Sequence, residues 1–468
     1  MQLLFTSLFG LFMANQALGA AVFAHFILGN AWNYNLTTWE EDITLAQEAH
    51  IDAFALNMGY GDSSLATQAA LAFEAANKLD FKLFFSFDYE GGTGAWPQAD
   101  VLTYLNKYAS NSAHYKYNGK PFVSTFEGTA NAADWITIKS ETNCFFVPDW
   151  SSLGAEGALK AGGGGVPDGL FSWGAWPSGP NNMDNATDLT YLDLDIPYMM
   201  PASPWFYTNL AEYSKNWLWR GDSLWHDRWE QIWELQPEWV EIITWNDYGE
   251  SHYIGPIRED ALSLMETGGA PLNYIENMPH DGWRHILPFA IDTYVSKNAS
   301  ITDEALVTWF RPNPGHACGT GGTTGNTASQ GQTLYAPAEV AQDKIFYSAM
   351  LDSHANVTVT VGGKSLGATW DKAPSGAGLY HGGVEYGSAT GKVVVTVTRD
   401  GETVASVAGE SISTTCAETL SNWNAWVGSN VTTTSTKGVA SRSLDKGTLE
   451  VINRHAHKHL HRGHNHFH

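Results

Sequence analysis

The 468-residue chain is short of basic residues and of charge in general. Only 25 Lys and Arg stand against 49 Asp and Glu, charged residues make up 16%, and the formal net charge is −24. So few cations exclude non-specific nucleic-acid binding and adsorption to anionic membranes, and leave neutral partners. The low total charge, beside 43% hydrophobic residues, excludes a disordered polyelectrolyte. Cysteine is scarce as well. Cys144, Cys318 and Cys416 are too few for a disulfide framework, so the fold must rest on its core. Cys318 and Cys416 bracket a β-rich region and are the expected pair; Cys144 opens the apolar run to Val147 and reads as a buried small hydrophobe. After the first 20 residues no apolar run is long enough to span a bilayer.

What the chain does have begins with Met1 to Ala20, an apolar stretch ending Ala17-Leu18-Gly19-Ala20 in the small-x-small form of a cleavable export signal, with cleavage expected after Ala20. Sequons at Asn35, Asn185, Asn298, Asn356 and Asn430 jointly fit a secreted glycoprotein, extracellular or in a cell wall. Aromatics are plentiful, with 20 Trp, 19 Tyr and 21 Phe. Indole pairs a flat apolar face with a polar N–H, which suits sugar rings as well as cores, and composition alone does not separate the two uses.

Eight short apolar runs recur between residues 22 and 246, nearly all followed by a turn and a helix-compatible segment. They are Val22 to Leu28, Ile51 to Met58, Phe81 to Phe87, Pro121 to Phe126, Cys144 to Val147, Gly169 to Trp173, Ile196 to Pro201 and Val240 to Trp245. This β-α alternation, eightfold over somewhat more than 250 residues, predicts an α/β fold, a (β/α)8 TIM-like barrel. Thr37-Thr38-Trp39-Glu40 resembles a capping box, and Leu65 to Leu79 is an Ala-rich amphipathic run. The fourth to sixth connections are short and Gly-rich, which also allows an irregular or open barrel. Beyond residue 300, a Gly/Thr/Ser-rich stretch around Gly315 to Thr333 reads as an exposed linker or long loop. Alternating runs such as Val357 to Val361 and Lys392 to Thr398 then predict an all-β sandwich. The expected organisation is a signal peptide over 1–20, a catalytic barrel over 21–300, a β-sandwich accessory domain over 301–425 and a Ser/Thr- and His-rich tail over 426–468. The tail's histidines fit no closed structural metal site.

In such a barrel reactive groups gather where strands end at the C-terminal rim. The eight exits carry carboxylates, amides and aromatics, among them Asn57, Asp88, Asp149, Asp247 and Glu250, and none contains Lys or Arg. The missing cations argue against a phosphate-binding barrel. Carboxyls interleaved with Trp instead suit glycoside hydrolysis, in which one carboxyl protonates the leaving oxygen and another acts on water or the anomeric carbon. Asp247 and Glu250, three residues apart, are close enough to work as a pair, and Asp88 could enter from across the mouth.

The segments VFAHFILGN, AFALNMGYGD, LFFSFDYEGG, FVPDW, LFSWGAWP, MMPASPWFY and ITWNDYGESHYIGP together resemble the fungal α-1,3-glucanases, or mutanases, of glycoside hydrolase family 71, over about residues 22 to 300. The resemblance implies inverting hydrolysis of α-1,3-glucan, a fungal wall polymer, without cofactor or metal, by a protein expected to act as a monomer. It places the family's catalytic carboxylates on Asp247 and Glu250, with Asp88 as a third acidic residue. Glu250 is expected as general acid and Asp247 as the base activating water, Asp88 orienting the water or binding sugar. Substrate-binding candidates are His25, Asn57, Tyr60, Asp62, Asp149, Trp150, Trp173, Trp176, Trp205, Trp245, His252 and Tyr253, of which about half are expected to touch sugar. Two other readings are a glucan-binding protein without catalysis and a hydrolase of another polysaccharide, since barrels host many chemistries.

Overall fold

The computed structural model describes residues 19–432. The segment expected as an export signal, up to residue 18, and the tail from 433, with its histidines, lie outside the described residues. Eight parallel strands close into a barrel, and each corresponds to one of the apolar runs: β1 (Ala21–Ile27), β2 (Ala53–Tyr60), β3 (Lys82–Gly92), β4 (Lys120–Phe126), β5 (Phe145–Asp149), β6 (Leu170–Phe171), β7 (Tyr198–Ala202) and β8 (Trp239–Ile242). Closure is made by β8 against β1, pairing Ala21 with Trp239 through Ala24 with Ile242. The thin part of the wall is β6, two residues long and joined to β5 through one pair, Asp149 and Phe171.

Helices cover the outside: α1 (Leu36–Glu48), α2 (Leu65–Leu79), α3 (Gln98–Tyr108), α4 (Asp134–Thr142), α5 (Gly154–Lys160), α6 (Ala186–Leu192), α7 (Leu224–Leu235), and after β8 a short α8 (Ser263–Thr267) and α9 (Leu287–Ser296). Helix α2 shows why they dock. Its Ala69, Ala72, Phe73, Ala75 and Ala76 recur at helical spacing and are buried, and the small side chains let the backbone approach the sheet. The first helix begins two residues earlier than its capping-box pattern suggests. Asn35 is its N-cap and accepts a hydrogen bond from the Thr38 amide at 3.1 Å, since an Asn oxygen satisfies that orphan N–H as well as a Thr hydroxyl.

Inside the barrel the lower half is an aromatic plug. Phe23 and Phe122 meet Tyr115 nearly edge to face, Phe23 lies 5.0 Å from Phe84 and Phe122 lies 5.1 Å from Trp239. Such packing leaves no space for a ligand there, so chemistry is confined to the upper rim.

The C-terminal unit is a sandwich of two four-stranded antiparallel sheets. One contains β9 (Glu304–Phe310), β10 (Lys344–Leu351), β13 (Gly378–Glu385) and β16 (Trp426–Thr432). The other contains β11 (Asn356–Val361), β12 (Lys364–Leu366), β14 (Gly391–Arg399) and β15 (Glu402–Ile412). Val357, Val359, Val361, Val393, Val395 and Val397 face inward between exposed Thr and Lys, the period of a half-buried strand. The sandwich runs past residue 425: β16 pairs with β9 along its whole length, so the first seven residues read as tail are a structural strand. A Gly-x-Ser-x-Gly run, Gly363 to Gly367, forms the turn and exposed strand β12, not a strand-to-helix elbow, and carries no nucleophile.

The stretch read as an exposed linker is anchored. Thr324–Gly325 adds in parallel to a hairpin that leaves β7, formed by Tyr207–Leu210 and Lys215–Leu218. Asn326 is fully buried and bonds to the Gly179 amide and the Thr333 carbonyl. Gly-rich sequence here serves close backbone approach rather than freedom. Cys318 and Cys416 are disulfide-bonded with Cα atoms 6.4 Å apart, tying this segment to the sandwich. Cys144 is free and buried, and burial pushes its thiol up to about 11. Barrel and sandwich share a core, with Trp309 donating to the Asp222 carbonyl at 2.8 Å and Trp205 to the Trp423 carbonyl at 3.1 Å. Among the described residues no helix is long and apolar enough to cross a membrane. The sequons at Asn35, Asn298, Asn356 and Asn430 are exposed and Asn185 is partly so.

Candidate active site

Above the plug the inward rows turn polar: His25 follows Phe23 on β1, Asn57 follows Ala55 on β2, Ser86 follows Phe84 on β3, Asp149 follows Val147 on β5 and Glu241 follows Trp239 on β8. His25 Nδ1 is 2.6 Å from Glu241 Oε1, and both side chains are buried. Burial raises the pKa of Glu241 against the hydrogen bond from His25, and it raises that of Asp149 well above the carboxylate range against its bonds to Ser151. Both groups have an oxygen without a protein partner, as does His25 Nε2. This layer is the floor of the site.

On that floor stands a cluster built by the loop after β8. The Thr244 hydroxyl accepts from the Asp247 amide at 2.8 Å, and Asp247 Oδ1 accepts from the Glu250 amide at 2.9 Å. These two bonds curl the chain so that both carboxyls face the mouth. Glu250 Oε2 meets His252 Nε2 at 3.0 Å, and His252 Nδ1 lies 3.1 Å from the Thr244 hydroxyl, a closed chain of contacts. One oxygen of Asp247, one of Glu250 and a His252 nitrogen lie within 4.8 Å of one another. Glu250 Oε1 is 2.6 Å from Lys215 Nζ. Asp88, where β3 reaches the rim, is braced by the Glu90 and Gly91 amides on Oδ1 and is near enough for its charge to act on Lys215.

The two central carboxyls are pushed in opposite directions. Burial and the neighbouring charge of Glu250 raise Asp247 above its ordinary value. Burial acts on Glu250 in the same sense, but Lys215 and the His252 hydrogen bond outweigh it and bring the carboxyl down to about 2. Two acids whose environments separate their proton affinities are what an acid/base couple requires. The difference depends on Lys215, which comes from the hairpin after β7 and not from any strand exit.

The twelve binding candidates divide by which side of the barrel wall they occupy. Trp173 and Trp176 border the barrel interior and keep exposed surface. Trp173 meets His25 edge-on at 4.9 Å, and Trp176 stacks on Trp219 at 5.3 Å and lies 5.4 Å from His252. Trp150, Trp205, Trp245 and Tyr253 correct the sequence reading: they are packing residues. Trp150, Trp205 and Trp245 belong to the core outside the barrel wall, their N–H groups spent on the Glu127 carbonyl, the Trp423 carbonyl and Asp42, while Tyr253 stacks on His280 at 3.9 Å. His25, Asn57, Asp149 and His252 are buried in the floor or the cluster. Tyr60 and Asp62 line a separate cavity of about 270 Å³ beside Asp88, with Trp96, Asp100 and Tyr104; Tyr60 donates to Asp100 at 3.0 Å.

Sequence reasoning missed Lys215 and Trp217. They alternate on one hairpin strand and so share a face; Trp217 stacks on Phe206 at 5.6 Å and has an unpaired indole N–H. The available signal was the alternation in Lys215-Asn216-Trp217-Leu218. Trp32, past β1, and Tyr213, at the hairpin tip, are the exposed large aromatics among the described residues, and both leave the same end of the barrel.

The model of glycosyl hydrolase family 71 matches residues 19–440. A mutanase of Penicillium rubens is 36% identical over 89% of this chain and 90% of its own length. A glucan endo-1,3-alpha-glucosidase of Schizosaccharomyces pombe is 35% identical over 91% of this chain and 97% of its own, and an ascus wall endo-1,3-alpha-glucanase of that yeast is 31% identical over 58% and 66%.

Proposed function

The chain belongs to glycosyl hydrolase family 71, and from that premise we propose that it is a secreted hydrolase of α-1,3-glucan, acting as a monomer outside the cell or in the wall. The observation that carries the reading is the pair Asp247 and Glu250, set side by side at the barrel rim with opposed proton affinities. Asp247, whose proton affinity burial and the neighbouring Glu250 raise, is the acid that protonates the leaving glycosidic oxygen. Glu250, held as carboxylate, takes a proton from the attacking water, and Asp88 orients that water or a sugar hydroxyl. Trp173, Trp176 and Trp217 offer faces to the sugar rings near the pair, and Trp32 and Tyr213 extend the platform along the rim.

The proposed stereochemical course is inversion, in which a water stands between acid and base and the carboxyls are about 6.5–9.5 Å apart. In the free enzyme an oxygen of each approaches more closely than that. That approach is nearer to the separation in retaining enzymes, about 5–5.5 Å, so the anomer released first decides between inversion and retention. The linkage is tested by incubating the purified protein with insoluble α-1,3-glucan and, separately, β-1,3-glucan. Soluble sugar is expected from the α-linked polymer only. Release from the β-linked polymer alone would overturn the substrate, and binding without release would support a glucan-binding protein.

A further inference from the structure

We infer that Lys215 is a positioning residue for this reaction: its ammonium decides which carboxyl of the Asp247–Glu250 pair keeps the proton, and the accessory region holds it in place. The inference rests on the reading of that pair as catalytic. An oxygen of Asp247, an oxygen of Glu250 and a nitrogen of His252 converge within 4.8 Å of one another. Lys215 Nζ, 2.6 Å from Glu250 Oε1, brings a cation to them from the protein itself. With Oε2 occupied by His252, both oxygens of Glu250 face hydrogen-bond donors, which fixes it as an acceptor. The groups acting on Lys215 are Glu250, Asp247 and Asp88, from two strand exits, so its charge is drawn into the cluster although the side chain is 41% exposed along its length.

The carrier is as telling as the charge. Lys215 opens the second strand of the hairpin, pairing with Leu210, and the two residues after its neighbour, Trp217 and Leu218, pair with Thr324 and Gly325 of the segment between the domains. Asn216, adjacent to it, donates to the Gly321 carbonyl at 2.9 Å and accepts from the Thr323 hydroxyl at 2.7 Å. That segment is bonded to the sandwich through Cys318 and Cys416. A cation brought in from outside the barrel strands is thus fixed by a part of the chain that lies beyond the barrel in sequence.

The test is the pH profile of kcat/KM on a soluble α-1,3-gluco-oligosaccharide for Lys215→Met, Lys215→Gln and Lys215→Arg. Without the cation Glu250 binds its proton more tightly, so the base form appears only at higher pH. The acid limb is expected to move up by about 1–2 pH units in the Met and Gln variants, with kcat down about 10- to 100-fold, while Arg keeps the wild-type limb. A structural role would lower activity equally at every pH; Met and Gln variants whose limbs superimpose on wild type overturn the inference. Asp247→Asn and Glu250→Gln are measured beside them. If those two stay active, the catalytic reading fails. If they are inactive and the limb is unmoved, only the role of Lys215 fails.

Discussion

Replacing Asp188 by Asn should destabilise the barrel severely, for a reason fixed by one buried ion pair. Asp188 on α6 and Arg228 on α7 are both without solvent exposure, and the guanidinium meets the carboxylate at 2.8 and 3.2 Å. The same guanidinium donates to the Pro201 carbonyl at the end of β7 through Nη2 at 2.7 Å and Nε at 3.2 Å, and Asp188 also accepts from Tyr198 at 2.8 Å. Asn matches Asp in shape but removes the counter-charge, and an arginine does not shed its proton. An uncompensated charge at such depth costs about 3–5 kcal/mol, a large share of the roughly 5–15 kcal/mol by which domains are stable. With a urea slope of about 3–4 kcal/mol/M for a chain of this size, the unfolding midpoint should fall by about 1 M. Asp188→Leu with Arg228→Met, which removes both charges, should recover about half of the loss, leaving about 1–3 kcal/mol for the unpaired Pro201 carbonyl and Tyr198 hydroxyl. The assay is urea unfolding followed by Trp fluorescence. A single variant that unfolds with wild type, or a double variant worse than the single, would refute the reasoning.

Other expectations follow from the site. Azide should restore turnover to a small side chain at Glu250 by replacing the activated water, whereas Asp247→Asn should be largely bypassed by a substrate with an activated leaving group; the opposite pattern exchanges acid and base. NMR of the first product should show the β-anomer from the α-linked polymer, and the α-anomer first would mean retention. Trp176→Ala should raise KM on glucan and leave the unfolding midpoint near wild type. Trp245→Ala, in the core outside the wall, should lose about 3–5 kcal/mol of stability; equal effects of the two on KM would contradict their placement.

The barrel strands were legible because fully buried parallel strands read as apolar runs between turns, and the sandwich because Val357 to Val361 alternates cleanly. The limits were local. In sequence, β16 reads as tail because Trp426 to Thr432 contains Gly, Ser and Asn, and only its pairing with β9 makes it a strand. Gly315 to Thr333 read as a free linker because composition reports backbone freedom and not the partner that removes it. At the site Asp88, Asp247 and Glu250 were visible as carboxyls at strand exits. Their relative proton affinity was not, because it depends on Lys215, 35 residues away in sequence from Glu250. The tryptophans at the exits looked alike in sequence, and only the side of the wall each occupies separates Trp176 from Trp245.

If Asp247 and Glu250 together cleave α-1,3-glucan, the deciding measurement is sugar release from that polymer by wild type, Asp247→Asn and Glu250→Gln, with folding and polymer binding checked in each. Wild type should release soluble sugar, and each variant should bind the polymer normally while its turnover falls by at least about 10²–10⁴-fold. A variant that folds, binds and hydrolyses at the wild-type rate would contradict the assignment.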